Sequence, residues 1–248
     1  MIAGLTVPAL AASLAAVFLA GVVRGYSGFG LSAIVVTSLS LFLAPTETVP
    51  IGVLLEVVAT LGIIRQVWAE VAWRELALLL LGASLGTPLG LLLLTGLPAE
   101  TMRLAIAGIV LTVSLLLLFR PTAQIAPTTP KSLAVGLISG VINGAAAVGG
   151  LPVVLYFLSA GLPAAAARAT IMTYLLLLGA YNLAALQIAG LLTETLGWRA
   201  LLFCLPLFLG IALGHRRFLA TSPDSFRRFA LVLLIGLSLA GLLRPFLL

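Results

Sequence analysis

Charged residues are scarce in this chain of 248 residues: they make up 8% of it, whereas 62% of its residues are hydrophobic. A soluble domain carries roughly 25% charged residues, so the composition excludes one and predicts an integral protein of the lipid bilayer. The net charge of +6 does not predict a nucleic-acid partner, because the basic residues stand singly between apolar runs and form no basic face.

Cysteine and histidine are almost absent, with one residue of each kind, Cys204 and His215. A single cysteine excludes an internal disulfide and a CxxC redox motif, and a lone histidine does not indicate a metal site. The sequence also lacks a phosphate-loop lysine motif and a Gly-x-Ser-x-Gly motif. We therefore expect no enzyme activity, no metal and no cofactor.

Long apolar runs are abundant, and they carry the same short motifs twice. Residues 21–25 (Gly-Val-Val-Arg-Gly) return as 140–144 (Gly-Val-Ile-Asn-Gly), and residues 82–86 (Gly-Ala-Ser-Leu-Gly) return as 210–214 (Gly-Ile-Ala-Leu-Gly). Arg-Pro closes both halves. We predict one membrane domain over residues 1–248, with repeats at 7–121 and 131–245 and a connector at 121–130.

Each repeat opens with a glycine-rich interruption, at residues 25–30 and 144–152. The apolar run 150–160 after the second interruption would cover only about 16 Å, about half of the hydrocarbon core. We therefore predict an all-α polytopic membrane protein in which each repeat has a glycine-broken, re-entrant-like helix pair and three spanning helices. This gives about eight to ten membrane segments.

The positions of the basic residues indicate how the two repeats are oriented. If each broken pair returns to its starting side, nine basic residues share one face and three share the other, whereas continuous crossings would split them evenly. The positive-inside rule prefers the first arrangement, which makes the repeats inverted and puts both termini outside the cytoplasm. The larger group is Arg65, Arg74, Arg120, Lys131, Arg168, Arg216, Arg217, Arg227 and Arg228, and the smaller group is Arg103, Arg199 and Arg244.

The two interruptions are the candidate binding site. A broken helix leaves free backbone N–H groups and the positive end of a helix dipole, and both favour an anion. The candidate residues at the first break are Gly25, Ser27, Gly28 and Gly30, and those at the second are Asn143, Gly144, Gly149 and Gly150. The alternative is that these glycines only let helices pack closely, as small-xxx-small patterns do.

Two ionisable residues fall inside predicted spans. Arg24, just before the first break, would either compensate the charge of an anionic substrate or extend toward the membrane surface. Glu56 would either carry a proton coupled to substrate movement or serve as a neutral or arginine-paired carboxyl that locks two helices together. Their counterparts in the second repeat are Asn143 and Tyr174.

The run 164–190 is unusually polar for a membrane span. Thr170, Tyr174 and Tyr181 share one helical face, which would line a hydrophilic pathway or bond neighbouring helices together. Arg168, at the start of the run, would be an interface anchor or an attractor for anions.

The segments Gly21–Gly30 and Gly140–Pro152, the two-half plan and the length together resemble the sulfite exporter TauE/SafE family, also called the toluene sulfonate uptake permease family. The first break is less glycine-dense than that family's pattern, and the second contains three alanines. The resemblance implies a bacterial-type plasma-membrane transporter of small anions such as sulfite, thiosulfate or organosulfonates.

The predicted function is therefore a secondary transporter that moves a small anion by alternating access, with protons as a possible coupling ion and a homo-oligomer as a possible assembly. The alternative is a membrane-embedded accessory or assembly protein that binds partner helices through its small-xxx-small faces.

Overall fold

The computed structural model describes residues 6–61, 68–119, 127–218 and 223–247, and within these ranges it contains ten α-helices and no strand. The predicted all-α polytopic fold is confirmed. The helices of the first half are α1 (Val7–Ser27), α2 (Leu31–Leu39), α3 (Pro45–Leu61), α4 (Trp73–Gly96) and α5 (Ala99–Phe119). Those of the second half are α6 (Thr129–Ala146), α7 (Gly150–Ala160), α8 (Ala164–Ile188), α9 (Glu194–Phe218) and α10 (Pro223–Leu247).

Helix lengths separate spanning elements from short ones. Among the described residues, five stretches are long and apolar enough to cross a membrane: Val7–Tyr26, Trp73–Gly96, Ala99–Phe119, Ala165–Ile188 and Glu194–Arg216. By contrast, α2 has nine residues and α7 has eleven. At 1.5 Å per residue they extend about 14 and about 17 Å, which is about half of a bilayer core.

Packing between the halves is reciprocal. The first helix of each half lies along the fourth helix of the other, because α1 packs on α9 and α6 packs on α4. The third helices, α3 and α8, contact each other, and so do the fifth helices, α5 and α10. Two related halves would produce this exchange of partners, while the inverted orientation stays a prediction.

The repeated small-xxx-small stripes make the reciprocal packing possible. A Cβ atom added at Gly140 in α6 would lie 2.3 Å from the carbonyl oxygen of Ala83 in α4. A Cβ atom at Gly210 in α9 would likewise lie 2.3 Å from the carbonyl oxygen of Phe18 in α1. Backbone therefore lies directly against backbone at both interfaces, as the packing interpretation of these glycines predicts.

The three arginines of the smaller basic group lie close to one another in the described structure. Arg103 and Arg244 both pair with the carboxylate of Glu100, at 2.8 and 3.1 Å. Arg199 pairs with Glu47, at 3.2 Å, in the first turn of α3. Arg103 also donates to the turn between α2 and α3, so the three arginines of the smaller group lie around one end of the bundle.

The centre of the bundle is built from α3 and α8. In α8, 61% of the most apolar stretch is buried, against 33–39% in the other four candidate spans, so α8 packs against more protein than they do. This helix carries Thr170, Tyr174 and Asn182, and all three are fully buried.

Candidate functional site

The first break lies between α1 and α2 at residues 28–30. Gly28 and Gly30 have φ angles of 80° and 88°, which side-chain-bearing residues rarely adopt. A Cβ atom at Gly28 would also lie 2.7 Å from the Met172 side chain in α8 and 3.2 Å from Nε of Arg168. Glycine is therefore needed at position 28 both for the turn and for the approach of α8. Ser27, a predicted donor, has a side chain that lies outside the described part of the structure.

A buried ion pair fixes this break to α3. Nη1 of Arg24 lies 2.9 Å from Oε1 of Glu56, and the two residues are 2% and 4% exposed. Arg24 also donates to the carbonyl oxygen of Gly28 and, at 2.5 Å, to the hydroxyl of Thr60. Glu56 is therefore paired with an arginine, as one of its two alternatives predicts, while its role in proton coupling stays a prediction. Arg24 is directed into the protein and not toward the membrane surface.

Glu56 also caps the N-terminus of α2. The backbone N–H of Ser32, the second residue of that helix, donates to Oε2 of Glu56 at 3.2 Å. The first four backbone N–H groups of a helix have no partner within the helix, and this amide is one of them. It is therefore one of the donors that we expected to bind an anion at the break. A carboxylate of the protein itself therefore occupies part of the predicted anion position. Sequence reasoning missed both Ser32 and Thr60.

The second break, between α6 and α7, is neutral. Ala147 ends α6 with a φ of 56°, an uncommon angle for a non-glycine residue. The hydroxyl of Ser139 donates to the carbonyl oxygen of Gly149 at 2.5 Å and bonds with the hydroxyl of Tyr174 at 2.7 Å. Tyr174, the counterpart of Glu56, is therefore linked through Ser139 to the start of α7, the short helix of its own half. Gly150 is buried against Leu175.

Asn143 and Asn182 bring unsatisfied polar atoms to this break. Asn182 donates to the backbone carbonyl oxygen of Asn143 at 3.2 Å. Within the described ranges, the side-chain nitrogen of Asn143 and the side-chain oxygen of Asn182 are buried and have no hydrogen-bond partner. Asn143 was predicted as a donor. Asn182 lies in the polar run 164–190 but was not predicted to be part of the site, because a helical sequence does not show which break a residue faces.

The two breaks meet at Gly52 in α3. A Cβ atom at Gly52 would lie 3.8 Å from Cβ of Ser32, at the start of α2, and 3.8 Å from Cβ of Ala147, at the end of α6. Residues that are 115 positions apart in the sequence therefore flank one point on a central helix. Both distances are ordinary van der Waals contacts, and the tight contact would be with Cγ2 of Val36, at 2.6 Å, so the lack of a side chain at position 52 lets α2 pack closely on α3.

Three other predicted site residues, Gly25, Gly144 and Thr170, make contacts between helices. Cβ atoms at Gly25 and Gly144 would lie 2.3 and 2.2 Å from backbone oxygens of α9 and α4, so both glycines lie in helix–helix interfaces. The hydroxyl of Thr170 donates to the carbonyl oxygen of Ala166 and accepts from the backbone N–H of Ala72. Thr170 therefore ties α8 to the residue before α4. A substrate-binding role for these three residues stays a prediction.

A cavity of about 260 Å³ adjoins the first break. Gly28 and Phe29 form one wall, and the end of α7 and the start of α8 form the rest, which is mostly apolar. Arg168 is the charged residue of this lining. The volume is several times the share of about 30 Å³ that one water occupies in the liquid, so a small anion fits beside Arg168 and Gly28.

Comparison with known proteins identifies the family. The family model for the sulfite exporter TauE/SafE matches residues 13–241, nearly the whole chain. No curated protein and no solved structure matches the chain. The chain belongs to the TauE/SafE family, which makes it a multi-pass membrane protein of a transporter family.

Proposed function

We propose that this member of the sulfite exporter TauE/SafE family is a secondary transporter of small anions whose two helix breaks form a single binding site. The substrate class is sulfur oxyanions or organosulfonates, of the sulfite, thiosulfate or sulfoacetate type. The site lies around Gly52, between the N-terminal amides of α2 and the end of α6, and the substrate moves by alternating access.

The unsatisfied side-chain nitrogen of Asn143 is the observation that carries this proposal. A buried donor without an acceptor costs about 1–3 kcal/mol. The backbone carbonyl oxygen of Asn143 accepts the N–H of Ala147 at 2.8 Å, and Cβ of Asn143 lies 2.6 Å from where a Cβ at Gly149 would be, so Asn143 lies against the turn between α6 and α7. An anionic oxygen at the break would remove this cost and would accept from the backbone amides at the same time.

The charged and polar residues at the first break have distinct proposed roles. Arg24 is the counter-charge for the anion, and the cavity at Arg168 is its route to one side of the membrane. Glu56 is the candidate for proton coupling. The reciprocal helix pairing supports two related halves. Their inverted orientation, with both termini on the non-cytoplasmic side of a bacterial plasma membrane, is proposed from the positions of the basic residues.

The alternative function, an accessory protein that binds partner helices, was suggested by the small-xxx-small stripes. The small-xxx-small stripes of α1, α4, α6 and α9 pack against each other inside the chain. These stripes are therefore not available to partner helices.

Anion flux in liposomes tests the transporter proposal. Purified protein is reconstituted, and sulfite uptake is compared for the unmodified chain, Asn143→Asp and Gln187→Glu. Asn143→Asp puts a negative charge at the second break, where like charges about 4 Å apart repel by about 4 kcal/mol at an effective dielectric constant of about 20. Gln187→Glu makes the same change at an exposed position of α8 and is the matched control.

We expect Asn143→Asp to lower sulfite uptake at least about tenfold, since 1.4 kcal/mol already corresponds to a factor of ten. Gln187→Glu should transport at the unmodified rate. Uptake by Asn143→Asp equal to that of the control, or no uptake by the unmodified chain, would refute the proposal.

A further inference from the structure

The carboxylate of Glu56 uses the same donors that a bound anion at the first break would use. Its Oε1 lies 2.9 Å from Arg24, and its Oε2 accepts the backbone N–H of Ser32 at 3.2 Å. Arg24 is the counter-charge of the proposed site, and Ser32 supplies one of the free amides of α2. The described structure is therefore one in which an internal anion holds the position.

We propose that Glu56 is a stand-in for the substrate, so that an anion binds at α2 only when Glu56 takes up a proton and releases Arg24 and the Ser32 amide. This inference rests on the proposed function and adds how proton uptake is coupled to anion binding. In the empty site the guanidinium of Arg24 balances the carboxylate of Glu56. In the loaded site Arg24 balances the substrate, and the proton that entered from water remains on the neutral Glu56 carboxyl.

Charge balance in a buried site favours this exchange. An anion added beside an intact ion pair would leave a net negative charge in a place where both partners are at most 4% exposed. Burying an uncompensated charge is strongly unfavourable, so the site is most stable when each negative charge enters with one proton. A singly charged anion such as bisulfite or a monosulfonate satisfies this balance with Glu56 alone, whereas a dianion such as sulfate, thiosulfate or sulfoacetate does not. The balance therefore favours the singly charged members of the proposed substrate class.

Other charged groups do not change the balance at Glu56. In α8, Arg168 has an electrostatic interaction with Arg24, but Arg168 is exposed, so water screens its charge. In α9, Arg199 pairs with Glu47, nine residues before Glu56 in α3. The remaining groups on α8 are Tyr174, bonded to Ser139, and Tyr181, exposed and bonded to the carbonyl oxygen of Ser84. Those on α9 are Glu194, exposed at its first residue; Cys204, half-buried; His215 and Arg216, exposed in its last turn; and Arg217, whose side chain lies outside the described part of the structure. Those on α4, α5 and α6 are Arg74, Glu75, Glu100, Arg103 and Lys131, all within the first five residues of their helices, and α2 has no charged residue.

The test measures methanesulfonate binding as a function of pH. This probe remains a single anion over the accessible range, so its own titration does not enter the result. Binding is followed in detergent by the thermal shift of the unmodified chain, Glu56→Gln and Glu47→Gln. Glu56→Gln imitates the protonated carboxyl, and Glu47→Gln makes the same substitution in α3 outside the proposed site.

We expect the affinity of the unmodified chain to fall as the pH rises, by up to about tenfold for each pH unit, because one proton is bound with each anion. Glu47→Gln should behave in the same way. Glu56→Gln should bind equally at all pH values, and more tightly than the unmodified chain at high pH. Sulfate should bind more weakly than methanesulfonate.

A second measurement does not depend on the variants. In liposomes that contain the unmodified protein and a pH-sensitive dye, an inward methanesulfonate gradient should carry protons inward with the anion. Binding of methanesulfonate that is independent of pH, or anion flux without proton movement, would overturn this inference and leave the proposed transporter intact. Failure of methanesulfonate, sulfite and thiosulfate to bind at any pH would overturn both.

Discussion

The interface between α4 and α6 yields the sharpest stability prediction, for Gly140→Ala. The new Cβ atom would lie 2.3 Å from the carbonyl oxygen of Ala83 and 2.6 Å from its Cα. Carbon atoms pack at about 3.5–4.0 Å, so the two helices would have to separate by about 1 Å. Both neighbours are backbone atoms, and no side-chain rotation relieves the contact. We expect a loss of about 1–3 kcal/mol of unfolding free energy, as overpacked cores show.

Gly108→Ala in α5 is the matched control. A Cβ atom there would have no neighbour within 4 Å, so the substitution changes helix propensity without a clash. Alanine is preferred to glycine in a helix interior by about 0.8–1.0 kcal/mol, and the two variants should therefore differ by about 2–4 kcal/mol. Tryptophan fluorescence during thermal unfolding in detergent measures the difference. Equal melting temperatures for Gly140→Ala and Gly108→Ala would refute the close-packing argument.

Three further substitutions test contacts of the site and of the bundle end by the same unfolding assay. Arg24→Leu should lower the unfolding free energy by about 3–5 kcal/mol, because it leaves Glu56 buried without a partner. The double variant Arg24→Leu/Glu56→Leu should lose less, and a double variant as unstable as the single one would contradict this. Thr170→Val should lower the unfolding free energy by about 1 kcal/mol, because the N–H of Ala72 loses its acceptor. An unchanged unfolding free energy would mean that this hydrogen bond does not stabilise the protein. Glu100→Gln removes the exposed carboxylate between two arginines, and the loss should be small and should disappear at high salt; a loss that persists in salt would contradict the screening argument.

Local chemistry made the broken helices predictable. Clustered glycines weaken a helix wherever it packs, and the run 150–160 is too short to span a bilayer, so the positions of α2 and α7 follow from composition and length. The small-xxx-small stripes likewise indicated close helix contacts. They could not tell which helices meet, because pairing across the halves depends on the three-dimensional arrangement.

The contents of the site were harder to predict. Arg24 and Glu56 are 32 residues apart on different helices. The one signal for their pairing was that they carry opposite charges and both lie inside apolar runs. The bond from the Ser32 amide to Glu56 has no signature in sequence, since any residue supplies a backbone N–H. Gly25 and Gly144 flank the predicted breaks, but the direction in which each faces depends on helix rotation.

The convergence of the two breaks is tested most directly by cross-linking Ser32→Cys to Ala147→Cys in a Cys204→Ser background. Both Cβ atoms lie 3.8 Å from the position that a Cβ at Gly52 would occupy, which places them within reach of a short bismaleimide. We predict rapid formation of the intramolecular product, and slower formation when methanesulfonate, which does not react with thiols, occupies the site. The absence of that product, or a rate that the anion leaves unchanged, would contradict a binding site shared by the two breaks.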